Sequence, residues 1–313
     1  MSYFGAVRWL SDDAVARLRQ AADRPDLSGT RYTIREEIGR GGMGTVYLAD
    51  DAVLERPVAL KVLTLEEGAS QAESLLREAR VMAKLEHPGL VPVHDAGLLP
   101  DGRVYYAMKF VAGERLDHYA ASGRTLWDRL AVFQKICDAV AFAHARGVLH
   151  RDLKPENVMI GAFGEVLVMD WGVARRAQDP AEPGGTVVGT RAYMAPEQAE
   201  GRSDRVGERT DVYALGAILR HLLEATREAP AAAERALSAV SGKAMAERPE
   251  DRYQTVADLS ADVGRFLAGD APAAHREGLT ERAGRFFRRY RTPILLVLAY
   301  LAMRALLILL AGR

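Results

Sequence analysis

The run HRDLKPEN at His150–Asn157 restricts what this chain can fold into more than any other part of the sequence. It brings a carboxylate at Asp152, an ammonium at Lys154 and an amide at Asn157 into one short segment. In-line phosphoryl transfer uses such groups, because it depends on positioning and charge neutralisation more than on covalent chemistry. Asp152 would orient the attacking hydroxyl, Lys154 would neutralise charge on the transferred group, and Asn157 would bind Mg²⁺ through oxygen. The run therefore indicates a phosphoryl-transfer site.

A second metal-binding candidate is Asp170, which begins an Asp-Trp-Gly tripeptide. It follows the apolar run 166–169 and lies thirteen positions after Asn157. Asp170 is placed to bridge Mg²⁺ to the phosphates of a nucleotide. We expect the tryptophan of the tripeptide to pack against Met82 and His150.

A glycine-rich segment of the form G-x-G-x-x-G-x-V lies near the start of the chain. Its glycines are Gly39, Gly41, Gly42 and Gly44. Strand-like runs at 32–34 and 45–48 flank it, whereas the similar glycines of a dinucleotide-binding fold open a helix. The glycines would let backbone amides approach ATP phosphates, and Val46 would cover the adenine. A structural turn without a ligand is the alternative reading of this segment alone.

Lys61 lies in the middle of an otherwise apolar strand, 58–63. A buried ammonium without a partner is costly, so the sequence requires a counter-charge nearby. Glu78, on a helix predicted for residues 72–85, is the natural candidate. The Lys61–Glu78 ion pair would direct the lysine to the α- and β-phosphates, which makes both residues catalytic candidates. A surface lysine is the alternative.

Composition and charge exclude several classes of protein. Lys+Arg and Asp+Glu both number 42, so the net charge is zero, which argues against a general nucleic-acid binder. The single cysteine, Cys137, rules out an intrachain disulfide and a cysteine metal cluster. Its apolar, helical surroundings favour a buried structural thiol over a reactive one.

These motifs occur in the order found in the bacterial eukaryotic-type (Hanks-type) Ser/Thr protein kinases, which the chain resembles from about residue 32 to residue 267. The remaining motifs of the resemblance are Ala195-Pro196-Glu197, Asp211 and Arg252. The resemblance implies an α+β, two-lobed protein-kinase fold with the ATP site between the lobes. The small N-lobe would be β-rich with one helix, and the larger C-lobe mainly helical. A hydrophobic C-terminal helix would follow.

Composition and patterning along the chain, together with the resemblance for the kinase domain, predict a division into four parts. Residues 1–30 would form a helical extension and 31–269 the kinase domain. Residues 270–293 would be a basic juxtamembrane linker, and 294–312 a transmembrane helix. The apolar tail has about 19 residues, near the length that crosses a bilayer, although Arg304 near its middle weighs against insertion. Flanking arginines would keep the kinase domain on the cytoplasmic side of the inner membrane. The alternatives are an interfacial helix, a helix packed on another chain, and a cytoplasmic protein.

Further site residues follow from the resemblance alone. Adenine would be held by the gatekeeper-like Met108, the hinge-like backbone of Lys109 to Val111, and the side chains of Val46, Ala59 and Met159. Glu197 would pair with Arg252 to tie the activation segment to the large lobe, and Asp211 would support the catalytic loop. Thr186 and Thr190 are candidates for activation-loop phosphorylation, with Arg151 as the partner of a phosphate on Thr186.

The chain departs from the family pattern in two places that bear on function. Trp171 stands where phenylalanine is usual, which leaves the metal-binding carboxylate intact. Only about 40 residues separate Asp211 from Arg252, with the missing portion falling between Leu223 and Ala231. Relatives normally form a substrate-docking surface there, so that surface is in doubt.

The function expected from sequence is a serine/threonine protein kinase that uses ATP with Mg²⁺ or Mn²⁺, phosphorylates proteins and autophosphorylates its activation loop. A homodimer, in which one copy phosphorylates the other, is a possible arrangement. A pseudokinase or a membrane-tethered scaffold that binds ATP without efficient transfer is the alternative. A small-molecule kinase of similar fold is a third reading, disfavoured by Lys154-Pro155-Glu156 and Ala195-Pro196-Glu197.

Overall fold

The chain divides into two compact units in the computed structural model. The first is drawn from Met1–Leu116, Phe142–Arg151 and Glu156–Asp179, and the second from Asp117–Ala141, Asp152–Pro155 and Pro180–Arg313. The structure describes residues 11, 24–41, 44–63, 75–76, 79–171, 175–176, 191–226, 229–278, 282–284, 287 and 290–311.

The first unit is built around a five-stranded antiparallel sheet with the strand order β1-β2-β3-β5-β4. Its strands are β1 (Tyr32–Gly41), β2 (Gly44–Asp51), β3 (Arg56–Val62), β4 (Val93–Leu98) and β5 (Val104–Lys109). Valine, leucine and tyrosine dominate the central strands, as expected of residues that pack on a pleated surface. Residues 75–76 and 79–82 are helical, which is the described part of the helix predicted for 72–85.

The two faces of β3 have different surroundings because successive strand residues point to opposite sides. Val58, Leu60 and Val62 belong to an apolar cluster with Tyr47 and Tyr105 on one face. Lys61 therefore emerges from the other face. A one-residue slip in register would exchange these positions, so burial of the apolar cluster fixes where the lysine points.

Shorter strands complete the first unit. A three-stranded sheet has the order β6-β8-β9, and β7 pairs with β10. These strands are β6 (Gly113–Arg115), β7 (Val148–Leu149), β8 (Val158–Gly161), β9 (Val166–Val168) and β10 (Arg175–Arg176). A 3-10 turn at Pro155–Asn157 leads directly into β8.

Helices dominate the rest of the described chain. They are α1 (Leu116–Ala121), α2 (Leu126–Ala145), α3 (Pro196–Ala199), α4 (Glu208–Glu224), α5 (Ala231–Ala244), α6 (Val256–Leu267) and α7 (Arg291–Ala311). In the second unit, α4 is the most buried of the longer helices and packs on α5. Gly216 of α4 permits this contact, since a Cβ there would lie 2.6 Å from the Cβ of Ala244. The order of a β-rich region followed by a helical one confirms the α+β prediction.

The short region after α4 has a specific internal support. The buried guanidinium of Arg129 donates to the backbone oxygens of Ala120 and Leu222, at 2.6 and 3.2 Å, and to the hydroxyl of Thr226. Positive charge is favourable at helix C-termini, because their last carbonyls carry partial negative charge. Arg129 thus fastens the ends of α1 and α4, next to the stretch between Leu223 and Ala231 where the sequence predicts a missing portion.

The structure describes only part of the predicted N-terminal extension. Of the predicted helical extension, 1–30, residues 24–30 are described and form turns, and the rest lies outside the described residues except for residue 11. The guanidinium of Arg103 donates to the backbone oxygen of Arg24 at 2.8 Å, and the backbone N–H of Asp26 donates to Asp101, which attaches this segment to the β4–β5 hairpin. The domain boundary at residue 269 stays a prediction.

The transmembrane prediction for residues 294–312 is not supported. Among the residues described here, none of the helices combines the length and the apolar character needed to cross a membrane. Arg304 lies within α7, where insertion scales assign a central arginine a cost of about 2.5 kcal/mol or more.

Candidate active site

Strand register gathers several predicted nucleotide-binding residues on one face of the first unit's sheet. Val46 is paired with Lys61 across β2 and β3, and Met108 is paired with Ala59 across β3 and β5. Directly paired residues in an antiparallel sheet share a face, and so do residues two apart on one strand. Val46, Ala59, Lys61 and Met108 therefore project to the same side, as a site for an adenine ring and its phosphates requires.

Lys61 forms an ion pair that the sequence did not predict. Its Nζ lies 2.9 Å from Oδ1 of Asp170 and 5.7 Å from the ring centre of Tyr106. The lysine side chain is 8% exposed and the aspartate side chain 48% exposed, so the ammonium is buried and the carboxylate is open on one side. The predicted partner, Glu78, lies outside the described residues, and the Lys61–Glu78 pair stays a prediction.

The described glycines of the glycine-rich segment fall into two kinds. Gly44 has φ +122°, and a Cβ at this position would overlap the carbonyl oxygen of Val62. The fold itself therefore requires glycine there. Gly39 and Gly41 have no atom within 4 Å of the position a Cβ would take. Their lack of a side chain leaves open space, which suits a ligand that approaches the backbone. Gly42 lies outside the described residues.

The hairpin of β8 and β9 brings both predicted metal ligands to one end. Val158 pairs with Val168, and the backbone N–H of Met169 donates to the backbone oxygen of Asn157 at 2.8 Å. Asn157 immediately precedes β8, and Asp170 follows Met169, so the two donor residues flank the same end of the hairpin. Asp170 has φ +58°, a left-handed conformation that aspartate tolerates better than most residues.

The donor set at this hairpin end fits a hard divalent ion. An amide oxygen and a carboxylate oxygen are ligands that Mg²⁺ accepts, with water and substrate phosphates supplying the rest. In the described part of the chain, no group of three or more His, Cys, Asp or Glu side chains could hold a metal. Asn157 and Asp170 would thus bind the ion together with a nucleotide rather than as a closed protein site.

Trp171 anchors this end of the hairpin. It is fully buried, its ring centre lies 4.5 Å from that of His150, and its Nε1 donates to the backbone oxygen of Val168 at 3.5 Å. His150 is also fully buried, with Nε2 3.0 Å from the backbone oxygen of Met169. The predicted contact between Trp171 and His150 is confirmed. The two rings fix the backbone on either side of Asp170.

In the second unit, Asp152 and Lys154 form a charged pair. The Lys154 Nζ donates to Oδ2 of Asp152 at 2.8 Å, and both side chains are mostly but not fully buried. The ammonium of Lys154 thus lies against the carboxylate that the sequence assigns to the acceptor hydroxyl. The preceding residue, Arg151, is buried with φ +69°. Such a backbone conformation is costly for arginine and is typical of a loop whose shape serves function.

The predicted Glu197–Arg252 pair is present in the second unit. Arg252 donates from two nitrogens to the two carboxylate oxygens of Glu197, each at 2.8 Å, and Thr210 donates to Oε1 of Glu197 at 2.9 Å. Burial, the largest single effect, raises the pKa of Glu197, but the hydrogen bonds and charge of Arg252, a backbone N–H and the hydroxyl of Thr210 together outweigh it and hold that pKa below its ordinary value. Asp211, next to Thr210, is buried in α4.

The remaining predicted residues lie as follows. Val111 is buried, and Met159 of β8 is paired with Arg115 and Leu167. Thr186 and Thr190 lie outside the described residues. Cys137 is fully buried, and burial raises the pKa of its thiol, in line with a structural role.

Two residues that contact the predicted site residues were not predicted from the sequence. Tyr106 lies opposite Lys61 in the register and under its ammonium, and the alternation of β5 was the available signal for it. Thr210 bonds Glu197, and its only signal was its position beside Asp211. The Lys61–Asp170 pair had no local signal, because its members are 109 positions apart.

Comparison with known proteins gives consistent matches. The family model described as protein kinase domain matches residues 32–269. The chain is 34% identical over 334 aligned positions to the serine/threonine-protein kinase PknD of Chlamydia muridarum, covering 85% of this chain and 34% of that protein. It is 36% identical over 300 positions to PknD of Chlamydia caviae, covering 76% and 31% of the two chains. For PknD of Protochlamydia amoebophila the identity is 35% over 301 positions, covering 76% and 30%. The chain thus spans about a third of the length of the curated relatives it matches.

Proposed function

The chain belongs to the protein kinase domain family, and on that premise we propose that it transfers the γ-phosphate of ATP to serine and threonine hydroxyls of proteins. The observation that carries the proposal is the end of the β8–β9 hairpin, where Asn157 and Asp170 flank one edge and Lys61 bonds Asp170. Its relatives named above are serine/threonine-protein kinases, which supports the choice of acceptor.

ATP binding in this proposal uses the sheet face that carries Lys61. Val46, Ala59 and Met108 offer an apolar surface for the adenine ring, while the backbone of Lys109 to Val111 would bond its edge. The open space at Gly39 and Gly41 allows phosphates to reach backbone N–H groups. Lys61 would then supply a positive charge to the phosphates from a buried position.

Asn157 and Asp170 would hold Mg²⁺ or Mn²⁺. When bound, the ion neutralises negative charge on the nucleotide phosphates. The fixed backbone around Asp170 limits the freedom of its carboxylate before any ligand arrives. Such preorganisation lowers the cost of assembling the site at the moment of reaction.

Asp152 and Lys154 would act on the acceptor side of the reaction. The carboxylate of Asp152 would accept the hydrogen of a serine or threonine hydroxyl and orient its oxygen. The Lys154 ammonium, 2.8 Å from the same carboxylate, can offset negative charge that develops on the transferred group.

The test is transfer of radiolabel from ATP to the chain itself or to a generic basic protein. Lys61→Met and Asp170→Asn should each lower the rate at least about a hundredfold, since each removes a charge that the reaction uses. Lys84→Met, at an exposed lysine, is the matched control and should keep the wild-type rate. If wild-type protein transfers no label yet is stabilised by ATP with Mg²⁺, the protein is a pseudokinase and the proposal fails.

We also propose that α7 attaches the chain to a lipid bilayer. This attachment does not require that the helix cross the bilayer. Large apolar side chains of α7 are about half or more exposed: Leu295, Leu296, Val297, Leu298, Tyr300, Leu301 and Met303. An amphipathic or apolar helix of this kind gains free energy by burying such side chains among lipid chains, and neighbouring arginines favour anionic headgroups.

Flotation of the full chain with anionic vesicles tests the attachment. Leu296→Glu combined with Leu301→Glu should abolish co-flotation. Val53→Glu, at a comparably exposed apolar residue of the β2–β3 turn, should not change it. Wild-type protein that stays in the dense fraction would refute the attachment.

A further inference from the structure

Two sets of hydrogen bonds, joined by the peptide bond between Arg252 and Tyr253, connect α3 to the segment after α6. Their members, in spatial order, are Glu197, Arg252, Tyr253, Asp262 and the backbone of Ala273 and Ala274. We name this set the anchor relay. All of it lies in the second unit. Its first pair is the predicted anchor of the activation segment, and its last members come after the predicted kinase domain.

The far end of the relay depends on a buried carboxylate. Asp262 of α6 is 2% exposed and accepts from the hydroxyl of Tyr253 at 2.7 Å, from the backbone N–H of Ala274 at 3.0 Å, and from the backbone N–H of Ala273. Arg265 is farther away, at 3.8 Å. Burying a charged carboxylate is unfavourable unless hydrogen bonds compensate for the lost water. Two of the three hydrogen bonds come from the segment after α6. The buried charge of Asp262 therefore has all three of these bonds only while that segment is packed against α6.

The docked segment has a shape that suits this role. Pro272 is buried, and the backbone N–H of His275 donates to its carbonyl oxygen at 3.1 Å, which closes a turn. The turn directs two successive N–H groups to one carboxylate, as a backbone anion site does. The segment is therefore held by specific hydrogen bonds as well as by burial of its proline.

The near end of the relay joins the far end through one peptide unit. Arg252 and Tyr253 are consecutive, and Arg252 has an extended backbone with φ −78° and ψ 177°. Successive side chains of an extended backbone point to opposite sides. Arg252 can thus bind Glu197 on one side while Tyr253 binds Asp262 on the other. Any shift of this short backbone changes both contacts together.

We propose that Tyr253 and Asp262 are positioning residues, which keep Arg252 in the geometry that binds Glu197 and make this geometry depend on docking of residues 270–278. Release of that segment would remove two of the three hydrogen bonds to Asp262. The Asp262 carboxylate and the Tyr253 hydroxyl bonded to it would then shift, and the hydrogen bonds from Arg252 to Glu197 on α3 would weaken. The consequence for catalysis rests on the proposed kinase function, whereas the coupling itself does not.

Hydrogen exchange of the full chain tests the coupling without relying on activity. Asp262→Asn should speed exchange of the amides of Ala273 and Ala274 at least about tenfold, and should also speed exchange at 198–202, which follow Glu197. Tyr253→Phe removes only the hydroxyl between the two ends. It should speed exchange at 198–202 severalfold while the amides of Ala273 and Ala274 stay within about twofold of wild type.

Asp258→Asn is the matched control. Asp258 is another carboxylate of α6, which accepts from Thr255 at the helix start and is outside the relay. It should affect the first turn of α6 and leave both reporter regions unchanged. If Asp262→Asn frees the segment but exchange at 198–202 stays at the wild-type rate, the segment is merely tethered and the relay is refuted. Unchanged exchange at Ala273 and Ala274 would refute the docking role of Asp262.

The catalytic consequence has its own readout. With a protein substrate, Asp262→Asn and Tyr253→Phe should lower kcat severalfold while KM for ATP stays within about twofold, because the relay ends on α3 and not on the residues assigned to ATP. A general loss of folded protein would lower apparent activity without raising exchange selectively at 198–202. If wild-type protein has no transfer activity, the proposed function fails, and the exchange experiment still decides the coupling.

Discussion

Glu197 illustrates how far one buried charge depends on its partner. Its carboxylate is held by two nitrogens of Arg252 and by Thr210, and the side chains of the ion pair are 3% and 0% exposed. Removing one member of a buried ion pair leaves the other charge uncompensated, at a cost of about 3–5 kcal/mol. We expect Glu197→Gln to lower the free energy of unfolding by about that amount at pH 7. Urea denaturation measures it.

Glu200→Gln is the control for this prediction. Glu200 lies three residues further along and pairs with Arg202 at 2.8 Å, but both side chains are about half exposed. Exposed ion pairs contribute about 0–1 kcal/mol. A loss for Glu200→Gln as large as that for Glu197→Gln would contradict the argument from burial.

The same residue predicts a pH dependence. Burial raises the pKa of Glu197, but Arg252, a backbone N–H and Thr210 together outweigh it, so the folded-state pKa is below its ordinary value. Its contribution to stability is therefore complete above the unfolded-state pKa and is lost as pH falls through the folded-state pKa. The stability difference between wild type and Glu197→Gln should accordingly shrink as pH falls below 4.5, the ordinary pKa of the group. A difference that stays constant down to pH 3 would contradict it.

At the scale of the elements, the β1–β2 hairpin contains a glycine that the fold requires and another that the fold does not require. Gly44 has φ +122° and no room for a Cβ beside Val62, whereas Gly39 has open space around it. We expect Gly44→Ala to destabilise the protein by about 1–3 kcal/mol, and Gly39→Ala to leave its stability nearly unchanged. Thermal unfolding of the two variants measures this difference.

The two substitutions should differ in ATP binding as well. Gly39→Ala should raise KM for ATP severalfold although the protein is folded, because the methyl group intrudes where phosphates approach the backbone. Unchanged KM for ATP in a stable Gly39→Ala variant would show that this glycine is only part of a turn.

Elements with local signals were the predictable part of this fold. Helix α6 carries such a signal, since it begins at Val256 and Thr255 and Asp258 form the reciprocal cap that fixes its start. The β1–β2 hairpin followed from glycines between strand-like runs. The Lys61–Asp170 pair and the Tyr253–Asp262 bond were not predictable, because each depends on which segments meet in the folded chain. The sequence predicted that the buried Lys61 needs a counter-charge, but it did not identify Asp170 as the residue that provides it.

At the scale of the whole molecule, the site is assembled from segments far apart in sequence, so ligand binding should stabilise the folded chain. A ligand that binds only the folded state adds about 2.7 kcal/mol of stability at a concentration 100 times its Kd. We expect ATP with Mg²⁺ to raise the unfolding temperature, and chelation of the metal to remove most of that increase. Asn157 and Asp170 lie at one hairpin end, so either alone should be insufficient for the metal-dependent part.

The metal dependence can be assigned to these two residues by substitution. Asp170→Asn should keep a small stabilisation by ATP through the sheet face of Lys61 and lose the additional effect of Mg²⁺. Asp204→Asn, at an exposed residue of the second unit, should respond as wild type does. Calorimetry with ATP, with and without Mg²⁺, measures each part on the full chain. Since this readout needs no phosphoryl transfer, it separates an error in the metal site from an error in the proposed activity. An Asp170→Asn variant with undiminished Mg²⁺ dependence would require the ion to be held by other residues.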